Sequence, residues 1–342
     1  MNEIDILTDL VKFNTIEDKE NVGIIDYIEN YLLKLGFKTE VKKKYLVMSY
    51  GEKPKVGFLG HSDTVEFIEG WKTNPHELTQ IDNMLYGLGA CDMKGGIAAF
   101  LQAVSEIDLN KLKYGIKIII TYDEEIGFKG IYDVVRDNVE LPEYMIFGEP
   151  TNNVNMTGCK GLFSVRMFTN GVKIHSSTPE KGKSANSSMI RLLTELEDYY
   201  KENIRQDLRD IYEVPYTTMN IGLIDGGSAI NSVAAKCMSY VDFRTVDEKH
   251  RNMLEEKIKE LCIKYDGTFE IDVDVKSFNN DIEFVKEKKT AGFMTEASFV
   301  DCKKMILGVG PMTAHEIDEH CSIESLKKCV EQYKEIILNV CK

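Results

Sequence analysis

The chain has 342 residues, of which 43% are hydrophobic, and this is enough to fill the cores of two domains of ordinary size. Its formal net charge of −14 argues against nucleic acid or an anionic membrane as the main partner, because both are bound through clustered Lys and Arg. No apolar run approaches the roughly 18 residues that span a bilayer, and the first residues lack the basic start of a signal peptide. We therefore expect a globular cytoplasmic protein with neither a membrane nor nucleic acid as a partner.

The first half of the chain alternates amphipathic helices with short apolar strands. Helices are predicted near residues 23–35 and 95–105, and strands near 56–59, 116–122 and 144–147. The strands are apolar without alternation and are separated by helices. This pattern predicts an α/β fold with a mostly parallel, doubly wound sheet that is covered on both faces.

From about residue 160 the strands alternate apolar and polar residues instead. Two helices are predicted among them, at 187–200 and 248–264. The order strand, helix, two strands, helix, strand is that of a split βαβ, or ferredoxin-like, domain of the α+β class. The chain then returns to the first style, with a strand at 305–309 and a helix at 324–338.

This change of pattern predicts one domain inserted into another. Residues 1–158 and 277–342 are expected to form the first domain, and residues 159–276 the inserted one. The eight cysteines form no Cys-x-x-Cys pair and have no framework spacing, so we expect reduced thiols, as in the cytoplasm, and no sulfur-ligated zinc.

Residues that commonly bind metal follow four of the predicted strands. Ligands bind outside the carboxyl ends of the strands of an open parallel sheet, so these positions are where a site is expected. They are His61 and Asp63, then Asp123, Glu124 and Glu125, then Glu149, then His315, with Asp92 just before the helix that starts near Gly95. Crowded carboxylates are stable only if a cation neutralises them. Imidazole and carboxylate without thiolate suit Zn²⁺, with Co²⁺ or Mn²⁺ as substitutes.

Five short motifs occur in a fixed order along the chain. They are GHSDTV at 60–65, YGLGACDMKGG at 86–96, DEEIG at 123–127, GEPT at 148–151 and AHEIDE at 314–319. With them, essentially the whole chain resembles the dinuclear zinc amidohydrolases, the family that includes acetylornithine deacetylase, succinyl-diaminopimelate desuccinylase, aminoacylase and the carboxypeptidase G and tripeptidase groups. The resemblance implies hydrolysis of a linear amide bond with two Zn²⁺ per chain.

By this resemblance, five residues hold the two ions. His61 and Glu149 belong to one ion. Glu125 and His315 belong to the other. Asp92 bridges both ions.

Two more residues receive catalytic roles from the same resemblance. Glu124 matches the general base, which takes a proton from the attacking water and returns it to the departing amine. Asp63 would accept a hydrogen bond from the second ring nitrogen of His61 and so fix the orientation of that ring.

The inserted domain resembles the family's lid and dimerisation domain. The segment GVKIHSSTPEKGKSAN carries His175, which in the family reaches the partner subunit's active site and stabilises the oxyanion. Asn231 and Arg244 match positions associated with the substrate's carbonyl and carboxylate groups. The family usually has a proline soon after the asparagine, whereas this chain reads NSVAAK, which leaves the match of Asn231 weaker. The resemblance thus implies a homodimer that forms through the inserted domain.

The segment GFMTEASFV, with Thr295 and Glu296, resembles acetylornithine deacetylases more than desuccinylases. We therefore expect a small N-acyl amino acid as substrate, with N-acetylornithine or N-acetyl-lysine first. AHEIDE is also close to the desuccinylase form, so succinyl-diaminopimelate is the alternative, followed by a di- or tripeptide. A metal-binding homologue without catalysis is the alternative outside the enzymes, and the presence of Glu124 argues against it.

Overall fold

The computed structural model describes residues 1–16 and 22–342, and the chain forms two compact units. The first comprises Met1–Thr157, Asn280–Lys289 and Thr295–Lys342. The second comprises Gly158–Asn279 and Thr290–Met294. That these units act as a catalytic domain and a lid stays a prediction.

The α-helices of the described residues include every helix that the sequence predicts. They are α1 (Glu3–Val11), α2 (Val22–Lys34), α3 (Lys94–Glu106), α4 (Lys129–Arg136), α5 (Ala185–Tyr199), α6 (Glu248–Lys264) and α7 (Ile323–Cys341). Side-chain caps fix several of their first turns: Ser184, Asp247 and Ser322 each accept a hydrogen bond from a backbone N–H three residues later. Among these helices, none in the described part of the chain is long and apolar enough to cross a membrane.

The strands belong to three sheets. They are β1 (Lys38–Lys42), β2 (Leu46–Tyr50), β3 (Pro54–His61), β4 (Thr79–Ile81), β5 (Met84–Tyr86), β6 (Gly115–Thr121), β7 (Tyr144–Phe147), β8 (Met156–Cys159), β9 (Gly161–Asn170), β10 (Thr218–Gly226), β11 (Lys236–Thr245), β12 (Gly267–Val275), β13 (Phe278–Asn279), β14 (Lys289–Ala291), β15 (Lys303–Ile306) and β16 (His320–Ser322).

The central sheet of the first unit has the order β1-β2-β6-β3-β7-β15. β6, β3, β7 and β15 are parallel to one another, and β1 and β2 add an antiparallel edge. Every residue of β6, whose sequence is GIKIIIT, is buried, as expected for a strand covered on both faces. The prediction of a mainly parallel α/β sheet is confirmed.

The second unit has a four-stranded antiparallel sheet of order β10-β11-β9-β12. Its elements follow the chain as β9, α5, β10, β11, α6 and β12, which is the predicted split βαβ order. Alternate residues of the inner strands, such as Val165 and Val241, are buried with Leu192 and Leu254 of the helices. β10 is an edge strand, and it carries two exposed apolar side chains, Leu223 and Ile224.

A small sheet of order β16-β5-β4 fastens two distant segments of the first unit. Tyr86 of β5 pairs with His320 of β16, and Met84 pairs with Ser322. The residues just before Asp92 are therefore held against the residues just after His315.

Candidate metal centre

The carboxyl ends of three parallel strands bring the predicted ligands together. β3 ends at His61, which pairs with Thr121 at the end of β6. On its other side β3 pairs with β7, which ends two residues before Glu149. Parallel strands end at the same edge of a sheet, so the segments that follow them, including Glu124 and Glu125 after β6, lie together.

Three residues form a first group of possible metal ligands, namely His61, Asp92 and Glu149. Nε2 of His61 lies 3.2 Å from Oδ1 of Asp92 and 3.8 Å from Oε2 of Glu149. The donor atoms all lie within 4.8 Å of one another. A single ion can therefore contact all three donors.

The second group consists of Asp92, Glu125 and His315. Nε2 of His315 lies 3.0 Å from Oε2 of Glu125 and 3.6 Å from Oδ2 of Asp92. Asp92 thus presents one oxygen to the histidine of each group. The five residues predicted as ligands fall into two groups that share Asp92, as a bridging carboxylate requires.

Burial beside one another raises the pKa values of several of the clustered carboxyl groups, whereas for Asp92 the hydrogen bonds and charges of the neighbouring histidines together outweigh burial and lower the pKa. Burial raises the pKa of Glu149 to about 7 and lifts the pKa of Glu124 well above its usual range. The hydrogen bond between His315 and Glu125 raises the pKa of the His315 imidazole to about 9. A bound cation neutralises this arrangement and favours ionised carboxylates and neutral imidazoles.

Asp63 contacts residues of both groups. Nδ1 of His61 lies 3.1 Å from the carbonyl oxygen of Asp63 and 3.6 Å from its Oδ1. The nearer contact is therefore with the backbone, whereas the sequence prediction placed the carboxylate there. Oδ2 of Asp63 accepts a hydrogen bond from the backbone N–H of Glu125 at 3.2 Å. Within residues 1–16 and 22–342, Oδ1 has no hydrogen-bond partner.

Glu124 lies beside these groups without belonging to either of the two that share Asp92. It forms a further donor group with His61 and Glu125, whose donor atoms also lie within 4.8 Å of one another. A carboxylate that is close to the candidate ions, yet is not needed as their ligand, is suited to proton transfer.

The donor set fits two ions that prefer nitrogen and oxygen ligands. Each group offers one imidazole and two carboxylates, and catalytic zinc sites have three protein ligands and an open position. The donor groups found among the described residues contain no cysteine. The thiol of Cys91 instead donates to the carbonyl oxygen of Pro311 at 3.1 Å. Co²⁺ and Mn²⁺ accept the same donors.

In the second unit, His175 and Asn231 lie on adjacent loops. The backbone N–H of Ser176 donates to the carbonyl oxygen of Asn231 at 3.0 Å, and His175 pairs with Ser232 in an isolated bridge. Nδ1 of His175 accepts the backbone N–H of Ser177 at 3.2 Å, which places the proton of the neutral ring on Nε2. The exposed ring therefore offers an N–H donor.

Arg244 lines a cavity of about 210 Å³ within the second unit, together with Lys160, Tyr212 and Thr218. Nε of Arg244 donates to Oδ1 of Asp242 at 3.1 Å. This contact occupies one edge of the guanidinium group, and no hydrogen bond of its two terminal nitrogens is found within the described ranges 1–16 and 22–342, so that a bidentate partner could use them.

Two other histidines, His320 and His250, lie outside the donor groups. Nδ1 of His320 donates to the carbonyl oxygen of Asp318 at 2.8 Å, and its ring lies 4.7 Å from that of Tyr86. His250 is fully buried between Thr217 and Asp207, at 2.8 and 3.2 Å, so its role is structural.

Two buried ionisable residues near the centre, Lys94 and Glu296, had no predicted role. Lys94 is 1% exposed and donates to the carbonyl oxygen of Phe13 at 2.9 Å, and burial lowers its pKa to about 7. Glu296, also 1% exposed, accepts the hydroxyl of Thr121 at 2.9 Å, and burial raises its pKa to about 8. Their place in the motifs DMKGG and GFMTEASFV is the sequence signal that marks them.

The fold and the donor groups define a class of protein. A parallel sheet that presents imidazole and carboxylate donors at its carboxyl end, with a spare carboxylate beside them, is suited to metal-dependent hydrolysis.

The family follows from comparison with known proteins. Residues 57–339 match peptidase family M20/M25/M40, and the chain belongs to this family. The acetylornithine deacetylase of Pasteurella multocida is 33% identical over 95% of this chain and 92% of that protein. The resemblance predicted from the five motifs is confirmed, and the chain is a metal-dependent hydrolase that acts on amide bonds.

Solved structures share the fold. The aminopeptidase PepT of Bacillus cereus has a TM-score of 0.81 at 18% identity, covering 100% of this chain and 98% of that one. A dinuclear metal-binding peptidase of the M20 family from Bacillus subtilis has a TM-score of 0.73 at 12% identity, covering 99% and 98%.

Proposed function

We propose that the protein is a cytoplasmic, dinuclear zinc deacylase of small N-acyl amino acids, with N-acetylornithine or N-acetyl-lysine as its substrate. The observation that carries this proposal is the pair of donor groups that share Asp92, with Glu124 beside them. In this proposal His61, Asp92 and Glu149 hold one ion, and Asp92, Glu125 and His315 hold the other. When bound, the ions acidify the attacking water and polarise the scissile carbonyl.

At this centre Glu124 transfers protons and Asp63 orients the ligands. Glu124 removes a proton from the attacking water and later delivers it to the departing amine, since one carboxylate can serve as base and then as acid. Asp63 holds the ring of His61 from one side and the backbone of Glu125 from the other, so it orients one ligand of each ion.

The second unit contributes substrate contacts in this proposal. Arg244 binds the carboxylate of the amino acid through its terminal nitrogens, and Asn231 binds a carbonyl group. His175 donates Nε2–H to the oxyanion of the partner subunit's substrate. The exposed edge strand β10, with Leu223 and Ile224, supports a homodimer, because an exposed edge that carries apolar side chains can pair with the same edge of another chain.

A similar protein and one short segment of the chain support an acetylated amino acid as the substrate. The Pasteurella multocida relative is an acetylornithine deacetylase, and GFMTEASFV favours that group over the desuccinylases. A panel of N-acetylornithine, N-acetyl-lysine, succinyl-diaminopimelate and several dipeptides, assayed with zinc-loaded protein, tests the proposal. We expect the highest kcat/KM with one of the two acetylated amino acids. A preference for succinyl-diaminopimelate or for a peptide would replace the proposed substrate, and no turnover of any member would overturn the proposed activity.

The two donor groups predict the metal content. Metal-free protein is expected to take up two Zn²⁺ per chain, because each group offers three donors and Asp92 serves both. His315→Ala removes a donor of the second group alone, so this variant is expected to retain one ion. Metal analysis after dialysis measures both values. A well-folded parent protein that holds one ion per chain in excess zinc would contradict the two-ion assignment.

A further inference from the structure

The carboxylate of Glu319 is buried against the backbone that leads to Asp92. It is 2% exposed. Oε1 accepts the backbone N–H groups of Cys91 and Asp92, both at 2.9 Å, and Oε2 accepts that of Gly89 at 2.9 Å. Three hydrogen bonds thus connect one carboxylate to three of the four residues 89–92, and bonds to a carboxylate are stronger than neutral ones.

Further contacts hold the same two segments together. The N–H of Gly87 donates to the carbonyl oxygen of Glu319 at 3.1 Å, and the next residue, His320, pairs with Tyr86. Glu319 lies four residues after His315. It therefore connects the loop that carries a donor of one group to the backbone of the residue that both groups share.

Burying a carboxylate is costly unless its oxygens are well bonded and its charge is balanced. The three N–H groups supply the bonds to Glu319, and its carboxylate lies near enough to Lys94 to oppose the lowering of the lysine pKa by burial. A Cβ at Gly89 would come within 2.9 Å of Cδ of Lys94, so the lysine stem packs directly on the segment that Glu319 holds. The buried carboxylate of Glu319 and the packed stem of Lys94 therefore both lie immediately beside Asp92.

Small displacements of Asp92 affect both groups at once. Its Oδ1 lies 3.2 Å from His61 and its Oδ2 lies 3.6 Å from His315. A change in the backbone of Asp92 moves both oxygens, whereas a change in His61 or His315 alters one group.

We propose that Glu319 is a positioning residue that sets the backbone of Asp92 so that its two oxygens serve both metal ions. The inference rests on the proposed two-ion site. Glu319 contacts neither ion nor substrate, and it acts through the three N–H groups that it accepts.

The test is the metal affinity of Glu319→Gln in the full-length protein. Glutamine has one accepting oxygen, so when Cys91 and Asp92 keep their acceptor, the amide NH₂ faces the N–H of Gly89. We expect both ions to bind about 10- to 100-fold more weakly, the usual effect of removing a residue that supports a ligand. Titration of metal-free protein with Co²⁺, followed by visible absorption, reports occupancy and geometry without reference to activity.

Asp318→Asn is the matched control. Asp318 is the preceding residue, its carboxylate is also largely buried, and it also binds a backbone N–H, that of Lys72 at 2.7 Å. Asp318 therefore binds the loop that carries His315 to Lys72, which lies in a segment without a metal donor. We expect Asp318→Asn to lower the melting temperature without changing the affinity for either ion by more than about threefold.

The number of Co²⁺ bound by the parent protein tests the two-ion site, and the affinities of the Glu319 variants test the role of Glu319. A parent protein that binds fewer than two Co²⁺ contradicts the two-ion site itself. A parent that binds two, with Glu319→Gln of unchanged affinity or with only one ion weakened, overturns the role of Glu319. Glu319→Asp keeps the charge but is too short to reach all three N–H groups, so we expect it to fold and to bind both ions more weakly. If neither variant folds while Asp318→Asn does, Glu319 is a folding residue and the inference is wrong.

Discussion

Replacing Glu124 with glutamine is expected to lower the turnover number by about 100-fold or more while both metal ions stay bound. Glutamine has nearly the same shape, but it cannot accept the proton of the attacking water or return it to the amine. Glu124 belongs to neither of the groups that share Asp92, so those two groups keep all their donors. Steady-state kinetics and metal analysis of the same preparation check both parts of this expectation.

Glu125→Gln is the neighbouring control. Glu125 belongs to the group with Asp92 and His315, and its carboxylate lies 3.0 Å from the His315 ring. We expect this variant to lose metal affinity first and activity as a consequence, so that excess zinc restores part of the turnover. Parental turnover in Glu124→Gln would show that another group carries the proton.

His175→Ala is expected to lower turnover by about 100-fold, because a positioned oxyanion donor lowers the activation free energy by ~3 kcal/mol. The hydrogen bonds of its ring are with Ser177 of its own loop, so dimerisation and metal content should not change. Analytical ultracentrifugation and metal analysis verify these two conditions before the kinetics are compared.

Subunit exchange between Glu124→Gln and His175→Ala shows whether the histidine acts on the partner subunit. In a mixed dimer one site carries both defects and the other carries neither, provided that each subunit lends His175 to its partner. Random exchange makes half of the dimers mixed, so activity is expected to recover to about one quarter of the parental value. If the mixture stays inactive although mass spectrometry shows exchange, His175 acts within its own subunit or has no catalytic role.

Topology explains why so much of the candidate centre was readable from the sequence. His61, Glu125 and Glu149 each follow a buried apolar strand, and parallel strands end at one edge, so their proximity follows from strand prediction alone. His315 belongs to the same centre for a different reason. β15 ends at Ile306, earlier than the predicted residue 309, and a long loop carries the histidine to within 3.0 Å of Glu125. The motif predicted this position, whereas strand periodicity did not.

Side-chain partners were harder to predict, because they depend on residues far apart in the chain. Glu319 lies in the same loop as His315, yet its carboxylate is bound to the N–H groups of Gly89, Cys91 and Asp92, more than 200 residues earlier. His250 lies in the first turn of α6, yet it is buried against Thr217, 33 residues earlier. Helical periodicity describes which face a residue occupies, but it contains no information about a loop that later covers that face.

The place of β15 in the central sheet has a consequence for synthesis on the ribosome. β15 pairs with β7, but the whole of Gly158–Asn279 is translated between these two strands. The nascent first unit therefore exposes an open edge of β7 until residues 303–306 emerge, and it lacks α7 for longer still. The second unit is almost continuous in the chain, and all of its residues, up to Met294, are translated before β15. Its early folding shortens the tether between β7 and β15 and so lowers the entropy lost when the two strands finally meet.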